Sequence, residues 1–314
     1  MSLDHLTYMP VFRGKTFELR MLDQMLPFIQ GYPVVPIVEP VTADTAQLEH
    51  VIDYYETFGV PLGVVVNPSV GALRNSPEHL IARVGGNLER NSSAFPVFRI
   101  GAGAFDWDWL AKVDHFALVE DRAPCNEAVT TLLSNPGRPP YRLIAHRDDC
   151  ALDHRLPEAR ILLGEGFPRR PNAKYPPDEK YRSGPGRQDL RSAAGWADYS
   201  IAGEQYQEGG ARPHAVAIHI TYWDPSERGL RVRHYLSDRT EGPEDTEGKF
   251  GEALEKLVAD LDDGAQAILE TSAISVFRSL HAQGHCPGLG TVKLLCMQHQ
   301  LETVCSRLKH RKML

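Results

Sequence analysis

The chain has 314 residues, of which 42% are hydrophobic and 24% are charged, and this composition is typical of a globular protein. Its formal net charge of −7 excludes a global positive field that would draw it to nucleic acid, so an anionic partner would need a local basic patch. Because no apolar run approaches the roughly 20 residues of a membrane span and the N-terminus lacks a secretory pattern, we expect a cytoplasmic protein with no membrane partner.

Eight short apolar runs recur through the first two thirds of the chain, and nearly every one is followed by a polar or charged residue. In chain order these predicted strands are Tyr8–Phe12, Val34–Val38, Leu62–Val66, Pro96–Phe98, Phe116–Val119, Leu143–Ala145, Ile161–Leu163 and Ala215–Ile218. Segments with helical periodicity follow the early runs, as in Thr16–Ile29 and Thr45–Phe58. Because strands and helices alternate, the pattern predicts an α/β fold, a TIM-like (β/α)8 barrel with reactive side chains at the carboxyl ends of its strands.

The interval 166–213 interrupts this rhythm, because it is rich in proline and too long for an ordinary connection. It is also the most basic stretch of an acidic protein, with the cations Arg169, Arg170, Lys174, Lys180, Arg182, Arg187 and Arg191. We predict a long basic loop before the last strand that acts as a lid over an anionic ligand. A merely solvated loop is the alternative.

The last third of the chain, 224–314, is predicted as a C-terminal extension of a single barrel domain that spans 1–314. Leu230–Leu236 is expected to add a strand through a hairpin turn at 224–229. Helical periodicity then marks the segments Gly248–Leu261, Ala265–Gln283 and Thr291–Lys309. Thr291 is expected to cap the last of these helices, whose free amides could receive an anion.

Two cations flank a glycine where the first strand turns into its helix. Arg13 and Lys15 could hold a phosphate or a carboxylate at a helix N-terminus, although a surface pair of cations fits the same pattern. Glu39 closes the second apolar run, and Asn67 and Arg99 follow the third and fourth runs in the same way. Since a barrel gathers such positions at one rim, we assign Glu39 to catalysis and the other four residues to substrate binding.

The most concentrated polar cluster is His146–Asp149, directly after the sixth run. Its imidazole and carboxylates suit either a divalent cation or an acid–base pair, and helix capping by the aspartates is the structural alternative. We predict that His146 and Asp148 are catalytic. The predicted ligands of a divalent metal ion, Mg²⁺ or Mn²⁺, are Glu39, Asp148 and Asp149.

His219 follows the eighth apolar run, on the opposite strand face from Ile218 and Ile220. We predict that it faces the barrel interior and acts as a general acid or base, with a packed core histidine as the alternative. Tyr222, at the end of the same segment, is assigned to substrate binding.

Two opening segments, Tyr8–Leu19 and Pro36–Pro40, resemble the start of the phage Beta-protein family, and they are more similar still to a related group of uncharacterised bacterial proteins. In the bacterial group the resemblance continues through Asp198–Ser200, Ala215–Tyr222, Ser237–Asp238 and Pro287–Lys293. It implies a barrel-like fold in a bacterial or phage-borne protein, encoded near mobile or defence-associated genes. It implies no activity and no catalytic residues.

These patterns predict a barrel enzyme that hydrolyses a phosphate-bearing substrate, either a nucleotide or a nucleic acid, and the resemblance implies an association with phage defence or with a mobile element. Arg13 and Lys15 would hold the anion, and His146 or His219 would transfer a proton. A non-catalytic recognition subunit with a protein partner encoded nearby is the alternative. A carboxylate or sugar substrate also stays open, because arginine and lysine bind carboxylates as readily as phosphates.

Overall fold

The chain folds into two compact units, and each unit is built from two separate stretches of the sequence. The computed structural model describes residues 6–74, 76–89, 93–100, 107–110, 112–113, 115–120, 142–146, 160–183, 193–209, 213–264 and 267–309. The first unit comprises Met1–Gly164 and Gln188–Asp198, and the second comprises Glu165–Arg187 and Tyr199–Leu314.

The described residues form strands and helices in an alternating order through the first unit, and strands followed by helices in the second. The strands are β1 (Thr7–Phe12), β2 (Ile37–Val38), β3 (Leu62–Val65), β4 (Ala94–Ile100), β5 (Ala117–Glu120), β6 (Arg142–His146), β7 (Arg160–Gly164), β8 (Asp178–Lys180), β9 (Gly195–Asp198), β10 (Ala217–Asp224) and β11 (Gly229–Leu236). The α-helices are α1 (Thr16–Ile29), α2 (Ala46–Thr57), α3 (Pro77–Glu89), α4 (Trp107–Leu110), α5 (Thr246–Asp263), α6 (Ser272–Gln283) and α7 (Leu289–Lys309).

The first unit is a curled, all-parallel sheet. Strands β1 to β7 pair in sequence order, and β9 pairs in parallel with both β7 and β1, so the pairing forms a ring. The predicted α/β class and the predicted parallel sheet are therefore confirmed. Helices are described after β1, β2, β3 and β4, while residues 121–141, between β5 and β6, lie outside the described residues, so the eightfold alternation stays a prediction.

The early helices follow directly from the apolar pattern of the sequence. Helix α1 has the predicted bounds, and its buried residues recur every three or four positions along one face, at Glu18, Leu19, Met21, Leu22, Met25, Leu26 and Ile29. Burial of such a face against the sheet is what stabilises a helix of this length in a folded domain.

The prediction that Ala215–Ile218 forms the eighth strand of the barrel was wrong. Residues 217–224 form β10, which pairs antiparallel with β11, and β8 pairs antiparallel with β11 on its other edge. The strand that completes the parallel ring is β9, which lies inside the interval 166–213 that we predicted as a loop. Only four residues long, β9 has two small residues, Gly195 and Ala197, and so gives little hydrophobic signal.

The second unit contains the predicted hairpin and the C-terminal helices. Strands β10 and β11 pair from Ala217 with Leu236 to Asp224 with Gly229, so the turn falls where the sequence placed it. Arg228 in that turn has a positive φ of 50°, the left-handed conformation that hairpin turns use. Helix α7 packs against β10, and α6 packs against α7. None of the described helices has both the length and the apolar character needed to cross a bilayer.

A buried histidine connects three elements of the second unit. Its Nε2 atom lies 2.7 Å from the carbonyl oxygen of Thr221 on β10, and its Nδ1 atom lies 2.8 Å from the hydroxyl of Thr271. Thr271 is the N-cap of α6, where it accepts a hydrogen bond from the amide of Ile274. This residue, His299, is fully enclosed, and burial lowers its pKa to about 4.

Acidification is expected to destabilise the protein through this histidine. An unfolded histidine has its ordinary pKa of 6.5, so between this pH and about pH 4 the unfolded state binds more protons and the free energy of unfolding falls as pH falls. The variant His299→Gln should lose up to about 3 kcal/mol of this pH dependence, measured by urea denaturation across the window. The control is His50→Gln on the surface of α2; an unchanged acid slope in His299→Gln would contradict the assignment.

The close pairing of β9 with β1 allows a second test of stability. A Cβ atom added at Gly195 would lie 1.9 Å from the backbone carbonyl oxygen of Thr7, so Gly195→Ala must push two paired strands apart. We expect a loss of about 3 kcal/mol or more in the free energy of unfolding. The matched control is Gly86→Ala in α3, where a Cβ meets nothing within 4 Å and alanine favours the helix. Equal stability of the two variants would exclude the close packing of β9 against β1 at Gly195.

Candidate functional site

A buried carboxylate organises the carboxyl ends of the first four strands. Glu39 directly follows β2, is fully enclosed, and forms ion pairs with Arg13 and with Arg99, the second through an Nη1–Oε2 distance of 3.1 Å. The backbone amide and the hydroxyl of Ser69 both donate to its Oε1 atom at 2.8 Å. Four described donors thus saturate one carboxylate.

Two further contacts fix the arginines of this network. The side chain of Asn67 pairs with the backbone of Arg99, donating to its carbonyl at 2.9 Å and accepting from its amide at 2.8 Å. The backbone amide of Arg13 donates to the buried carboxylate of Glu18 at 2.6 Å. Gly14 then takes a positive φ of 62°, which turns the chain from β1 into α1. The predicted residues Arg13, Glu39, Asn67 and Arg99 therefore lie together.

The contacts of Glu39 argue against metal binding by this side chain. Both of its oxygens already accept hydrogen bonds, and a divalent cation there would face two guanidinium groups. Within the described ranges there is no group of three or more histidine, cysteine, aspartate or glutamate residues that could hold a metal ion. Asp148 and Asp149 lie outside those ranges, so the proposed ligand set stays a prediction.

The remaining predicted site residues that the structure describes, in whole or in part, are Lys15, His146, His219 and Tyr222. Lys15 is the N-cap residue of α1 and is half-buried. His146 is the last residue of β6, and its side chain lies outside the described part. His219 and Tyr222 lie on β10, in the second unit and not in a barrel strand, so the predicted position of His219 in the barrel interior was wrong.

Removal of the charge of Glu39 is expected to destabilise the first unit. The variant Glu39→Gln removes the charged partner from two buried ion pairs, and breaking such a pair costs about 3 to 5 kcal/mol. Urea denaturation measures the loss. The control is Glu49→Gln, because Glu49 pairs with the exposed Arg83 and such a surface pair contributes less than about 1 kcal/mol. A loss no larger than that of the control would contradict a stabilising role for the network.

The hydroxyl of Tyr222 contacts residues of the two other strands of its sheet. Its hydroxyl donates to Asp178 on β8 at 2.7 Å, and the Nε atom of Arg231 on β11 donates to the same aspartate at 2.7 Å. Burial and the nearby carboxylate raise the pKa of Tyr222 to about 12. These contacts join the three strands of the sheet, and Tyr222 is not among the described residues that line the cavity of this unit.

The second unit contains a cavity of about 920 Å³, a volume within the range of ligand sites. Its walls include the permanent cations Arg169, Arg170 and Lys293 and the imidazoles of His214 and His219. None of the described residues that line it is an aspartate or a glutamate. In a chain with a net charge of −7 this wall is a local basic surface.

Aromatic rings build the wall around His219. The ring of Tyr175 stacks on that of Phe167, with 5.3 Å between centroids, and it contacts the rings of His219 and His234 at 4.7 Å each. The guanidinium of Arg170 lies over the outer part of this cluster, 5.4 Å from the centroid of Tyr175. Packing of this kind holds the imidazole of His219 in one orientation.

His219 is hydrogen-bonded to a second histidine. Their Nδ1 atoms lie 2.7 Å apart, and the Nε2 atom of His234 lies 3.2 Å from Oε1 of Glu179 on β8. The other oxygen of Glu179 accepts from Arg170 at 3.0 Å. Burial, with a contribution from His234, lowers the pKa of His219 well below its ordinary value, and burial also lowers the pKa of His234 to about 4. Both rings are therefore neutral at pH 7.

The N-terminus of helix α7 forms another part of the cavity wall. Leu289 and Gly290 open this helix of 21 residues, and Lys293 follows one turn later. The first amides of a helix have no partner within it and favour an anion. The predicted cap at Thr291 was wrong, because Thr291 lies within the helix. Cys296 also lines the wall, but burial raises the pKa of its thiol to about 12, which excludes a reactive thiolate at neutral pH.

Sequence reasoning selected His219 but missed His234, Glu179 and the aromatic rings. One signal could have found His234: a hairpin turn at 224–229 sets the register in which His219 lies opposite His234. No comparable signal identifies Glu179, because β8 is a three-residue strand of charged residues. Comparison of the chain with protein-family models, with curated proteins and with solved structures finds no match in any of the three. The resemblance to the Beta-protein family therefore stays an expectation.

Proposed function

We propose that the protein is a hydrolase of a phosphate-bearing substrate, a nucleotide or a nucleic-acid end, and that this substrate binds in the cavity of the second unit. The observation that carries the proposal is the composition of the cavity wall, in which Arg169, Arg170 and Lys293 occur and no described carboxylate does. Phosphate carries up to two negative charges, and arginine, lysine and helix amides are the groups that proteins use to bind it.

The geometry of Arg169 supports a built site. Its guanidinium donates to the carbonyl of Gln205 at 3.2 Å and to the side chain of Gln207 at 2.6 Å, so the loop that follows β9 holds this cation at the wall. Several other residues of the interval 166–213, among them Phe167 and Tyr206, also line the cavity. An arginine held by its own neighbours loses less conformational entropy when it binds an anion.

His219 is the proposed proton acceptor of the reaction. A water molecule would attack phosphorus and transfer a proton to the imidazole while the ester P–O bond breaks. The imidazolium would then return that proton to the departing oxygen, so that the products are an alcohol and a phosphate. A neutral imidazole at pH 7 is ready for the first of these transfers.

The wider expectations enter as parts of the same proposal. They are a complete (β/α)8 alternation in the first unit, a cytoplasmic location, and a bacterial or phage-borne gene with a role in defence. A requirement for Mg²⁺ or Mn²⁺ is tested by activity with each ion and with a chelator.

Binding and turnover of phosphate compounds test the proposal. We expect Lys293→Gln and Arg169→Gln each to weaken binding of a nucleoside monophosphate about 10-fold in calorimetry, because each removes one charged hydrogen bond. The control is Lys180→Gln, which removes an exposed cation of the same unit that does not line the cavity. Turnover is measured on a panel of phosphomonoesters and phosphodiesters. Binding that responds equally to all three substitutions would overturn the cavity as the site.

A recognition subunit without catalysis is the second candidate, and the network around Glu39 favours it. The barrel residues that we had assigned to chemistry are occupied by contacts with one another. Under this candidate the anion binds in the cavity without turnover, and the protein co-purifies with the product of a neighbouring gene. Hydrolysis that is lost in His219→Asn with anion binding retained would exclude it.

A further inference from the structure

The pair of imidazoles in the second unit fixes the position of every hydrogen between them. The Nδ1 atoms of His219 and His234 are 2.7 Å apart, so one of these atoms donates and the other accepts. Both rings are neutral at pH 7, and a neutral imidazole carries a single N–H. Each ring therefore has one donor and one acceptor to distribute.

The carboxylate of Glu179 decides the direction. One of its oxygens accepts a hydrogen bond from Arg170 at 3.0 Å, and a carboxylate accepts hydrogen bonds and donates none. The Nε2 atom of His234, 3.2 Å from this carboxylate, must then carry the hydrogen. Consequently the Nδ1 atom of His234 is an acceptor, the Nδ1 atom of His219 is the donor, and the Nε2 atom of His219 has no hydrogen.

The unprotonated atom is the one left for a ligand. His219 lines the cavity and makes no hydrogen bond through Nε2 to any residue in the described ranges. His234 has no exposed side-chain surface and is not among the described residues that line the cavity, but it is hydrogen-bonded to His219, which does line it. The arrangement is a carboxylate and two imidazoles in series, and it ends at His219, a residue that lines the cavity.

We propose that Glu179 and His234 are positioning residues that present the Nε2 atom of His219 as a hydrogen-bond acceptor, and that the cavity selects an oxyanion carrying its own O–H donor, as hydrogen phosphate does. The inference rests on the proposed function in that it takes the cavity as the anion site. It adds a rule of specificity: cations on the wall attract any oxyanion, whereas the acceptor favours the protonated one. The same acceptor suits an attacking water molecule.

Phosphate and sulfate are the probes that isolate this acceptor. At neutral pH hydrogen phosphate and sulfate have nearly the same size and charge, but only hydrogen phosphate carries an O–H group. We expect inorganic phosphate to bind about 10- to 100-fold more tightly than sulfate in calorimetry, because sulfate leaves the lone pair of His219 facing an anionic oxygen. Nitrogen NMR of the histidine-labelled protein should show His219 protonated at Nδ1 and bare at Nε2.

The variant His234→Phe removes the partner of His219 while keeping a ring in its place. We expect the proton of His219 to move to Nε2 and the preference for phosphate over sulfate to fall to about one, with sulfate binding no weaker than in the native protein. His281→Phe, an exposed histidine on α6, is the control that should change neither quantity.

The outcomes separate the two proposals. Equal affinity for both anions, or a hydrogen on Nε2 of His219 in the native protein, would overturn the positioning role of Glu179 and His234. The cavity would still stand as an anion site. Failure of both anions to bind would overturn the proposed function itself. Should His234→Phe not fold, the native protein alone decides, through the position of the His219 proton and the ratio of the two affinities.

Discussion

The register of the β10–β11 hairpin is the constraint on which the second unit depends. It places His219 opposite His234, and the pairing of β11 with β8 places Val232 opposite Glu179. A slip of one strand by one residue would turn its histidine to the other face of the sheet and separate the imidazole pair. The same strand offers the carbonyl of Thr221 to His299, so the register also determines how α7 packs on the sheet. The position of His219 in the cavity wall, its hydrogen bond to His234 and the contact of α7 with β10 therefore all depend on this register.

The two polar clusters of the protein treat charge in opposite ways. In the first unit Glu39 lies between Arg13 and Arg99 and accepts four hydrogen bonds, so groups of the protein itself balance its charge. In the cavity of the second unit no described residue of the wall is a carboxylate, and Glu179, behind the wall, contacts both Arg170 and His234. Buried pairs of the first kind connect strands, whereas a wall that carries cations and no described carboxylate is suited to an anionic ligand.

Much of the first unit could be predicted because its signals are local. The bounds of α1 follow from its apolar face, and strands such as β3 and β4 are continuous apolar runs of the kind that parallel sheets require. The grouping of Arg13 with Glu39 follows from their positions after neighbouring strands. What failed was the choice of the closing strand, since β10 has a strong apolar pattern and β9 a weak one.

The cavity could not be predicted in the same way, because its parts are brought together by tertiary contacts. Alternation along β10 marked one face as polar but did not reveal whether that face belongs to a barrel or to an antiparallel sheet. The hairpin turn contained enough information to pair His219 with His234. The contribution of β8 depended on a strand of three charged residues, and no periodicity identifies such a strand.

The order of segments along the chain has a consequence for how the protein is made. After β7 the polypeptide leaves the parallel sheet, contributes β8 to the other unit, and returns to supply β9 before leaving again. During synthesis the ring of strands cannot be completed until the start of the other unit has already emerged from the ribosome. No single cut in the chain yields either unit whole, and a stop codon after Gly164 would leave β1 and β7 as open edges, where unpaired strands promote aggregation.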